Sequence, residues 1–497
     1  MSSILFRLTK AFSGATALLL VAACAVGPDY QRPDLDVGSD YKQAMTTEAG
    51  NTANQGWVVA QPDDAALRGD WWALFNDPIL DGLIAASNAD NFDLAKAEAQ
   101  YRQAQALLQS SRSGFFPTLG TNAGLTRSGS GGGSGDASAG GGTGAGGPSN
   151  VYTFSGGVSW ELDLWGKVRR SVESSQAGAQ ASLADVATAR LSIQSTLAQT
   201  YFRLRILDQE KRLLAQTLQA YERSLTITQN RYQAGMVAQA DVAVSQTQLE
   251  NTRVQSLALD WQRAQLEHAL AVLTGQAPAA FSVATVASLD YNEQLTTVPV
   301  IPVGVPAQLL QRRPDVAAAE RRVAQANASI GVAQAAWFPD LTLSAQGGFR
   351  SGQWAQWLSS PVSFWSLGPA LALTVFDGGA REANVASMRA AYDAQVASYR
   401  QTVLTALREV EDYLVQRSVL DQEQNAQTRA LTAARLSLQL TRNQYDAGLI
   451  DYLSVVQVET TALNTERAAL SLVTDRLLAS VQLIAALGGG WQSQPNF

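Results

Sequence analysis

The sequence predicts an α+β membrane protein, a transmembrane β-barrel continued by a long periplasmic α-helical barrel and built from a tandem repeat. Three observations predict this fold. Motifs recur in the same order along the 497 residues, two pairs of alternating segments have the length of membrane strands, and two stretches without proline are far longer than an average helix. No apolar run reaches the roughly 18 residues of a membrane-spanning helix, so a membrane crossing would use strands.

The composition excludes several classes of function. The chain carries 36 basic and 43 acidic residues, a formal net charge of −7, and lacks the basic clusters that bind phosphate backbones. One cysteine and one histidine are too few for most zinc or thiol chemistry. The histidine, His268, lies on a predicted helix with no partner at a spacing that suggests a general base. We therefore predict no nucleic-acid binding, no enzyme activity and no metal or cofactor.

The first 23 residues predict a bacterial lipoprotein signal peptide. Basic residues precede an apolar segment, 11–23, that is too short to span a bilayer. It ends in Val-Ala-Ala before Cys24, the pattern in which the cysteine is acylated and becomes the first mature residue, and no other cysteine is present to form a disulfide. Ala25 follows where an aspartate would indicate inner-membrane retention, so we predict a lipid anchor at Cys24 in the outer membrane. A secretory signal with a chance cysteine is the alternative.

Two motifs occur twice, in the same order. Phe116-Pro117-x-Leu119 recurs as Phe338-Pro339-x-Leu341, and the segment 228–237 recurs as 441–450. Two ordered matches are typical of an internal duplication. The predicted domains are a signal peptide 1–23, a lipidated leader 24–66, a first repeat 67–280, a linker 281–304, a second repeat 305–490 and a tail 491–497.

Each repeat is predicted to contain the same four elements. A first helix, Ile79–Ser113 or Pro314–Ala336, is rich in good helix formers and ends before a proline that forbids its continuation. A β-hairpin, a long helix and a return helix follow. Their predicted ranges are 117–164, 167–234 and 237–274 in the first repeat, and 339–376, 381–447 and 452–487 in the second.

The predicted hairpins alternate with period two. In the second repeat Leu341 and Leu343 lie on one face, and Thr342 and Ser344 lie on the other. The strands are about the 9 to 11 residues that a tilted membrane strand needs. The loop of the first hairpin, 128–149, is almost wholly glycine, serine and alanine, as suits an exposed extracellular loop.

Alternation alone does not distinguish a face that contacts lipid from one that contacts a soluble core. Aromatic residues near the strand ends favour lipid, because membrane barrels carry aromatic girdles at both interfaces. The predicted interfacial aromatics are Phe115, Phe116, Trp160, Trp165, Trp337, Phe338, Trp365 and Phe376.

The two longest predicted helices indicate a structure about 100 Å long. The segment 167–234 contains no proline and one glycine, and 381–447 contains neither. Each spans about 100 Å, and each return helix about 55 Å, at the rise of an α-helix. Gly235 and Gly448 follow the long helices as natural positions for a left-handed cap. The shorter first helices can stack end to end with the return helices.

Four membrane strands per chain do not close a barrel. An open sheet edge in lipid leaves backbone N–H and C=O groups unpaired at high cost. Two chains would give eight strands and a lumen filled by side chains, whereas three give twelve strands and an aqueous pore. We therefore predict a homotrimer with a 12-stranded barrel, four strands per chain, built for passage across the outer membrane and periplasm.

Several motifs lie along nearly the whole chain, from the signal peptide to Gly490. They are Cys24 followed by Gly27-Pro28-Asp29-Tyr30, Trp71-Trp72 with Phe75-Asn76-Asp77-Pro78, Phe115-Phe116-Pro117, the segment 160–166, Arg312-Arg313-Pro314-Asp315, Trp337-Phe338-Pro339 and two Tyr-x-Ala-Gly turns. Together they resemble the TolC-like outer-membrane efflux factors, in particular the lipidated branch similar to OprM and the NodT lipoproteins. The resemblance implies a trimer closed at its periplasmic tip. It also implies a periplasmic adaptor and an inner-membrane pump of the resistance-nodulation-division type, which export drugs or other toxic small molecules.

The resemblance also implies a gate near Gly235 and Gly448. Tyr445 matches the family's gate tyrosine, Asp241 its acidic partner, and Leu453 the apolar constriction of the OprM-like branch. Three copies of Leu453 would then narrow the bore, and Asp241 would bond Tyr445 across the hairpins. The alternative is that Asp241 caps its own helix and Tyr445 packs within its hairpin.

Two positions near the tip depart from the family pattern. Ile450 stands where TolC has a gate arginine, and Gln457 stands where the family often has a constriction aspartate. The inner ring is therefore expected to be less acidic at Gln457. Asp446 and Asp451 are nearby carboxylates that would compensate or simply be solvated.

Two other functions fit part of the pattern. A duct for type I protein secretion would share the fold, but the lipid anchor and the OprM-like motifs disfavour it. A non-channel periplasmic coiled-coil lipoprotein would not need four strands of lipid length or aromatic corners in both repeats. The sequence does not identify the exported substrate.

Overall fold

A computed structural model describes most of the chain, namely residues 26–35, 41–42, 57–59, 70–129, 148–285, 301–303, 312–356, 358–359 and 363–489. The predicted signal peptide, Cys24, the tail 491–497 and most of the leader, of the linker and of the glycine-rich loop lie outside the described residues. The chain divides into two compact units. We name the strand unit for Met1–Pro33, Arg102–Gln180 and Glu320–Ala397, and the core unit for Asp34–Tyr101, Ala181–Ala319 and Ser398–Phe497.

The described strands form two sheets. In chain order the strands are β1 (Trp57–Val59), β2 (Thr118–Ser128), β3 (Ser149–Leu162), β4 (Ile301–Val303), β5 (Asp340–Ser351) and β6 (Ser363–Ala372). In the core unit β1 pairs with β4 in parallel. In the strand unit β2, β3, β5 and β6 form a sheet in that order, and each neighbouring pair is antiparallel. The hairpins of the two repeats therefore lie side by side, joined through β3 and β5.

The helices follow the same order in both repeats. They are α1 (Pro78–Asp90), α2 (Phe92–Ser113), α3 (Lys167–Gln233), α4 (Gln239–Leu273), α5 (Pro314–Ala335), α6 (Ala380–Asp446) and α7 (Tyr452–Ala486). The long helices α3 and α6 contain 67 residues each, and the return helices α4 and α7 contain 35 each. At the α-helical rise these lengths correspond to about 100 Å and about 50 Å. Equal lengths in the two repeats are what a duplication produces.

The first repeat begins with two helices rather than the single predicted helix 79–113. Asn91 separates α1 from α2, and its backbone N–H donates to the carbonyl oxygen of Ser87 at 3.1 Å. Its Oδ1 accepts the backbone N–H groups of Asp93 and Leu94 at 2.9 and 3.0 Å. Asn91 therefore ends one helix and caps the next. The prediction of one continuous helix is wrong here, because residues 88–93, Asn-Ala-Asp-Asn-Phe-Asp, favour caps over helix interiors and Asn91 forms the cap.

The last strand is shorter than the side-chain alternation suggests. β6 ends at Ala372, whereas the predicted hairpin runs to 376. Phe376 lies beyond the strand and is 87% exposed. Asp377 then leads into α6, because its carboxylate accepts both the backbone N–H and the side-chain Nε–H of Arg381, at 3.1 and 2.7 Å.

The core unit contains the main apolar core. Its buried side chains include Trp71, Leu80, Ile84, Leu197, Phe202, Leu270, Val410, Leu414, Leu477, Val481 and Ile484. The indole N–H of Trp71 donates to Gln194 Oε1 at 3.3 Å, which satisfies a polar group that burial would otherwise leave without a partner.

α7 is a core helix. Among the described helices it is the one long and apolar enough to cross a membrane by length and composition, with an 18-residue window of mean hydropathy 1.4. However, 44% of that window is buried inside the chain, and α7 supplies Leu477, Val481 and Ile484 to the core. A buried core helix passes the same length and composition test, so the test alone is weak evidence for a membrane span.

The described part of the leader begins at Val26, two residues after the predicted anchor, and the segment up to Pro33 belongs to the strand unit. Its backbone N–H donates to the carbonyl oxygen of Trp165 at 3.0 Å. Arg170 donates to the carbonyl oxygens of Val26 and Gly27 at 3.3 and 3.2 Å, and pairs with Asp29 at 2.9 Å. The Arg170 side chain is 6% exposed, so the segment is held by a buried guanidinium.

The same segment passes very close to α5. Gly27 has φ +109°, and a Cβ built on it would lie 2.5 Å from the Cα of Gly331. Gly27 therefore does not accommodate a larger residue in this arrangement. Further along, the hydroxyl of Tyr30 donates to Glu320 Oε1 at 2.6 Å. Burial, together with this hydrogen bond, raises the pKa of Tyr30 above its ordinary value.

Candidate channel-forming surfaces

The four-stranded sheet has one apolar and one polar face. Residues directly opposite each other in neighbouring strands share a face, and the register places Leu343 opposite both Trp160 and Pro369. The apolar face comprises Leu119, Ala123, Leu125, Tyr152, Phe154, Val158, Trp160, Leu162, Leu341, Leu343, Ala345, Phe349, Trp365, Leu367 and Leu371. The polar face includes Asn122, Thr126, Thr153, Ser155, Ser159, Glu161, Thr342, Ser344, Gln346, Arg350 and Ser366. Such a sheet suits lipid on one side and water on the other.

The outer strands of this sheet have one neighbour each. β2 pairs with β3 alone and β6 with β5 alone within the described part of the chain, and all 11 residues of β2 are exposed. The outer edges therefore present unpaired backbone groups, which a sheet in lipid must pair. β2 and β6 run in opposite directions, because every step across the sheet is antiparallel. β6 of one chain can thus pair with β2 of another in the antiparallel order of membrane barrels.

Aromatic side chains lie at the helical end of the sheet, the end opposite the hairpin loops. The indole N–H of Trp160 donates to the carbonyl oxygen of Phe115 at 3.0 Å, and that of Trp165 donates to the carbonyl oxygen of Pro339 at 2.9 Å. Trp165 also stacks on Phe338, with ring centroids 4.7 Å apart. Their polar N–H groups are satisfied while their rings remain partly exposed, which is the arrangement of an interfacial tryptophan.

The remaining aromatics at this end are more exposed. Trp337 is half exposed, and the guanidinium carbon of Arg381 lies 4.9 Å from the centroid of its ring. Phe116 and Phe376 have mostly exposed rings. An interfacial position for all of these side chains stays a prediction.

A second group of aromatics lies at the loop end of the sheet. Trp365, opposite Gly347, is 83% exposed on the apolar face. Tyr152 and Trp354 form an edge-to-face pair with centroids 5.4 Å apart. Trp354 was not identified from the sequence, because it lies in the loop between β5 and β6, where no periodic pattern marks it.

The turns between long and return helices have the same geometry in both repeats. Gly235 and Gly448 each have φ +72°, a conformation that glycine adopts without strain. Their N–H groups donate to the carbonyl oxygens of Tyr232 and Tyr445, both at 2.9 Å. The following residue in each turn donates five positions back, at 2.8 and 2.9 Å. These paired bonds are Schellman motifs, which end the long helices cleanly.

The predicted hydrogen bond between Asp241 and Tyr445 is absent from the described residues of the single chain. Asp241 Oδ2 instead accepts the backbone N–H of Ala238 at 3.1 Å, as a carboxylate at the third position of a helix does. The Tyr445 hydroxyl is buried and has no hydrogen-bond partner in the described part of the chain. Its ring packs on Tyr452 with centroids 5.6 Å apart, and lies 4.9 Å from the guanidinium carbon of Arg231. The alternative of a helix cap and hairpin packing describes both residues.

The start of α7 has an exposed and a buried side. Leu453 is 58% exposed, and Gln457, one turn later on the same face, is also exposed. On the buried side, Tyr452 is 4% exposed, and its hydroxyl donates to Ser245 Oγ at 3.1 Å and lies 3.0 Å from Ser224 Oγ. Tyr452 therefore links the hairpin of the second repeat to both helices of the first.

A second polar contact joins the two hairpins. Gln248 Nε2 donates to the hydroxyl of Tyr221 and to Thr460 Oγ1, both at 3.1 Å. Burial raises the pKa of Tyr221 to about 12. The sequence analysis does not single out these residues, because scattered glutamine, threonine and tyrosine on long helices give no periodic signal.

Three further residues near the tip lie outside this network. Asp451 accepts the backbone N–H of Ser454 at 3.0 Å and so caps α7. Asp446 is exposed at the end of α6, and Ile450 is half-buried in the turn.

A repeated pair of long and return helices, together with a four-stranded sheet that has an apolar and a polar face, defines the subunit of a TolC-like outer-membrane channel. A family model described as outer membrane efflux protein matches residues 83–276 and 305–489, a segment in each repeat. The chain belongs to the outer membrane efflux protein family.

Individual proteins show the same similarity over nearly full length. The chain is 31% identical over 493 residues to the toluene efflux pump outer membrane protein TtgF of Pseudomonas putida, with 96% of each chain covered. It is 26% identical over 496 residues to the probable outer membrane lipoprotein SilC of Salmonella typhimurium, with 98% of this chain and 100% of SilC covered. The solved outer-membrane channel OprN superposes with a TM-score of 0.81 at 30% identity, covering 95% of this chain and 100% of OprN. The protein is an efflux channel component of the outer membrane.

Proposed function

We propose that three copies of the chain close a 12-stranded β-barrel and form the exit duct of a tripartite efflux system. The observation that carries the proposal is the four-stranded sheet with an apolar face, a polar face and the open edges β2 and β6. Eight strands leave a lumen filled by side chains, whereas twelve leave an aqueous pore. Three chains are therefore the smallest closed ring that conducts.

In this proposal the duct narrows near Gly235 and Gly448. The exposed side chains of Leu453 and Gln457 face the bore, and three copies of Leu453 form an apolar constriction that excludes water. Asp241 acts at the gate by fixing the start of α4, since its carboxylate is bonded to Ala238.

The proposed partners are a periplasmic adaptor and an inner-membrane pump, and the proposed cargo is small toxic compounds. TtgF, which is named for toluene efflux, supports a cargo of this size. The likeness to SilC, a probable outer membrane lipoprotein, supports acylation at Cys24. Cys24 lies two residues before Val26, which is bonded to the aromatic Trp165, so the acyl chains would enter the membrane beside the aromatic residues of the sheet.

Native mass spectrometry and single-channel recording on protein extracted from the outer membrane test this proposal. We expect the mass of three chains, and small or rare openings in planar bilayers. Leu453→Ala should enlarge the openings, because it removes the apolar constriction. Val254→Ala is the matched control, since Val254 is also exposed on a return helix but lies away from the tip turns.

A monomer that never conducts would contradict the proposed barrel, and the apolar face of the strands would then have to contact a soluble core. A trimer in which neither the unchanged chain nor Leu453→Ala conducts would contradict the duct. Equal conductance in the unchanged chain and Leu453→Ala would remove Leu453 from the gate.

A further inference from the structure

We infer that Arg350 forms a positively charged ring at the outer mouth of the barrel and makes the exit favour anionic solutes; this inference rests on the proposed trimer. Arg350 lies on the polar face of β5, opposite Thr153. It is the residue before Ser351, where β5 ends at the loop end of the sheet. In a closed barrel the polar face is the lumen, so each chain contributes one guanidinium at the same height.

Charged side chains are rare on this face. Within the described strands, the polar face carries Asp340, Glu161 and Arg350 as its charged residues. Asp340 and Glu161 lie at the helical end, and both pair with Lys167 Nζ, at 3.4 and 3.0 Å. Between them and Arg350 the face carries only small or uncharged side chains. The positive charge at the loop end therefore stands alone along the described strands of the lumen face.

The position of the guanidinium is restrained. Its central carbon lies 5.6 Å from the ring centroid of Phe364. Phe364 pairs with Gly348, so it is an aromatic residue on the otherwise polar face, diagonally opposite Arg350. A ring in this place offers a flat surface for the guanidinium, while no carboxylate of the described residues forms an ion pair with it. Arg350 therefore keeps its full charge exposed to the lumen.

Rings of arginine or lysine in a pore favour anions and repel cations. The reach of such a ring depends on salt, because the Debye length is about 30 Å at 0.01 M and about 3 Å at 1 M. In dilute salt three guanidiniums act across much of the mouth, whereas in concentrated salt they act only on their own surroundings. Solutes with carboxylate or phosphate groups are the class that this mouth would pass most readily.

Charge reversal at two arginines tests the inference, with potassium chloride as the probe. Arg350→Glu places a negative charge on the lumen face. Arg127→Glu is the matched control, because Arg127 lies near the loop end of β2, opposite Asn150, on the apolar face. Both changes are made in the Leu453→Ala chain, so that the tip does not limit the current. Reversal potentials across planar bilayers under a salt gradient give the permeability ratio of potassium to chloride.

We expect Arg350→Glu to raise the potassium-to-chloride ratio about threefold or more in dilute salt, and the difference to vanish near 1 M, where screening removes it. Arg350→Gln should shift the ratio in the same direction by less, and Arg350→Lys should preserve it. Arg127→Glu should leave the ratio unchanged. Gln and Lys variants keep the test valid if the Glu variant does not assemble, and native mass checks each trimer.

The possible failures are distinguishable. An unchanged ratio in Arg350→Glu or Arg350→Gln trimers that conduct overturns the inference and leaves the proposed duct intact. Equal shifts in the Arg350 and Arg127 variants, or a shift that does not depend on salt, also overturn it, because the effect would not arise from charge in the lumen. Absence of conductance in the parent trimer contradicts the proposed function, and the inference falls with it.

Discussion

The indole N–H of Trp165, which follows the first hairpin, donates to the carbonyl oxygen of Pro339, which precedes the second, at 2.9 Å. The same ring stacks on Phe338. Two residues later, Lys167 pairs with Asp340, the first residue of β5, at 3.4 Å. The two repeats are therefore joined at the helical end of the sheet by side chains as well as by the ladder between β3 and β5.

Replacing Trp165 by phenylalanine should lower the temperature at which the proposed trimer dissociates. The change keeps a ring but leaves the carbonyl of Pro339 without its donor, at a cost of about 1 kcal/mol per chain. Heating series analysed by semi-native electrophoresis would measure it. Trp365→Phe is the control, since that ring is exposed on the apolar face; equal shifts for both variants would argue against the bond between the repeats.

Arginine substitutions at two adjacent residues should distinguish the faces of the sheet. Leu367 is opposite Ala345 on the apolar face, and Ser366 is opposite Gln346 on the polar face. Leu367→Arg should impair membrane assembly, because arginine on a lipid-facing strand costs about 2–4 kcal/mol near the bilayer midplane. Ser366→Arg should assemble normally. The amount of assembled protein in outer-membrane fractions measures the effect of each substitution. A similar loss of assembled protein in both variants would mean that the two faces are wrongly assigned.

Replacing Tyr452 by phenylalanine should loosen the tip. The hydroxyl bonds to Ser245 and contacts Ser224, so its loss removes buried hydrogen bonds worth about 1 kcal/mol each. We expect more frequent channel openings and faster hydrogen exchange in the first turns of α7. Tyr232→Phe is the control, because Tyr232 is 43% exposed and lies at the end of α3. Unchanged opening frequency with Tyr452→Phe would show that this link does not hold the tip closed.

Two substitutions of Asp241 should separate a helix cap from an acidic gate residue. The carboxylate accepts the N–H of Ala238, and an asparagine oxygen can accept the same bond. Asp241→Ala should therefore destabilise the start of α4 by about 1 kcal/mol, and Asp241→Asn should restore most of the loss. Hydrogen-exchange rates at the start of α4 would measure the stability of each variant, and single-channel recording would measure its opening. If the Ala and Asn variants opened equally often, and both more often than the unchanged chain, the negative charge of Asp241 and not its hydrogen bond would control the opening.

Acid should loosen the start of α7. Hydrogen bonds from the hydroxyl and then the N–H of Ser454 lower the pKa of Asp451 below its ordinary 3.8. Because the folded pKa is below the unfolded one, the stabilisation is complete above 3.8 and is lost as pH falls through the folded pKa. Hydrogen exchange at the backbone amides of residues 452–456, corrected for intrinsic rates, should therefore accelerate as the pH falls through the folded pKa of Asp451. Asp451→Asn should remove most of the acceleration; an identical acid response would assign it to another group.

The parts of the fold that follow from periodicity could be predicted from sequence. Alternation assigns Leu343 and Ser344 to opposite faces whatever the partner strand is, because successive side chains of a strand point in opposite directions. The tip glycines Gly235 and Gly448 were equally visible, because a left-handed turn after a long helix favours glycine.

The parts that depend on a partner could not be predicted. Asn91 lies among other residues that favour caps, Asn88, Asp90 and Asp93, and only its bonds to Asp93 and Leu94 show that the second helix begins there. For Asp241, the family resemblance implied a bond to Tyr445, with a helix cap as the alternative; within the described residues the cap forms, because the N–H of Ala238 lies three residues away and needs no rearrangement to reach. Local hydrogen bonds of this kind compete with long-range ones, and a single sequence does not reveal which forms.

The close passage of Gly27 over Gly331 has a consequence for how the sequence can change. A methyl group at Gly27 would meet the Gly331 backbone, and one at Gly331 would lie 2.8 Å from Cγ of Arg170, which holds the same segment. A larger residue at Gly27 is therefore blocked by backbone that no substitution removes, whereas a larger residue at Gly331 requires the side chain of Arg170 to move or change. Leaders of different relatives should consequently not be interchangeable, and a graft of a foreign leader should succeed only when its contact residues on the helices are transplanted with it.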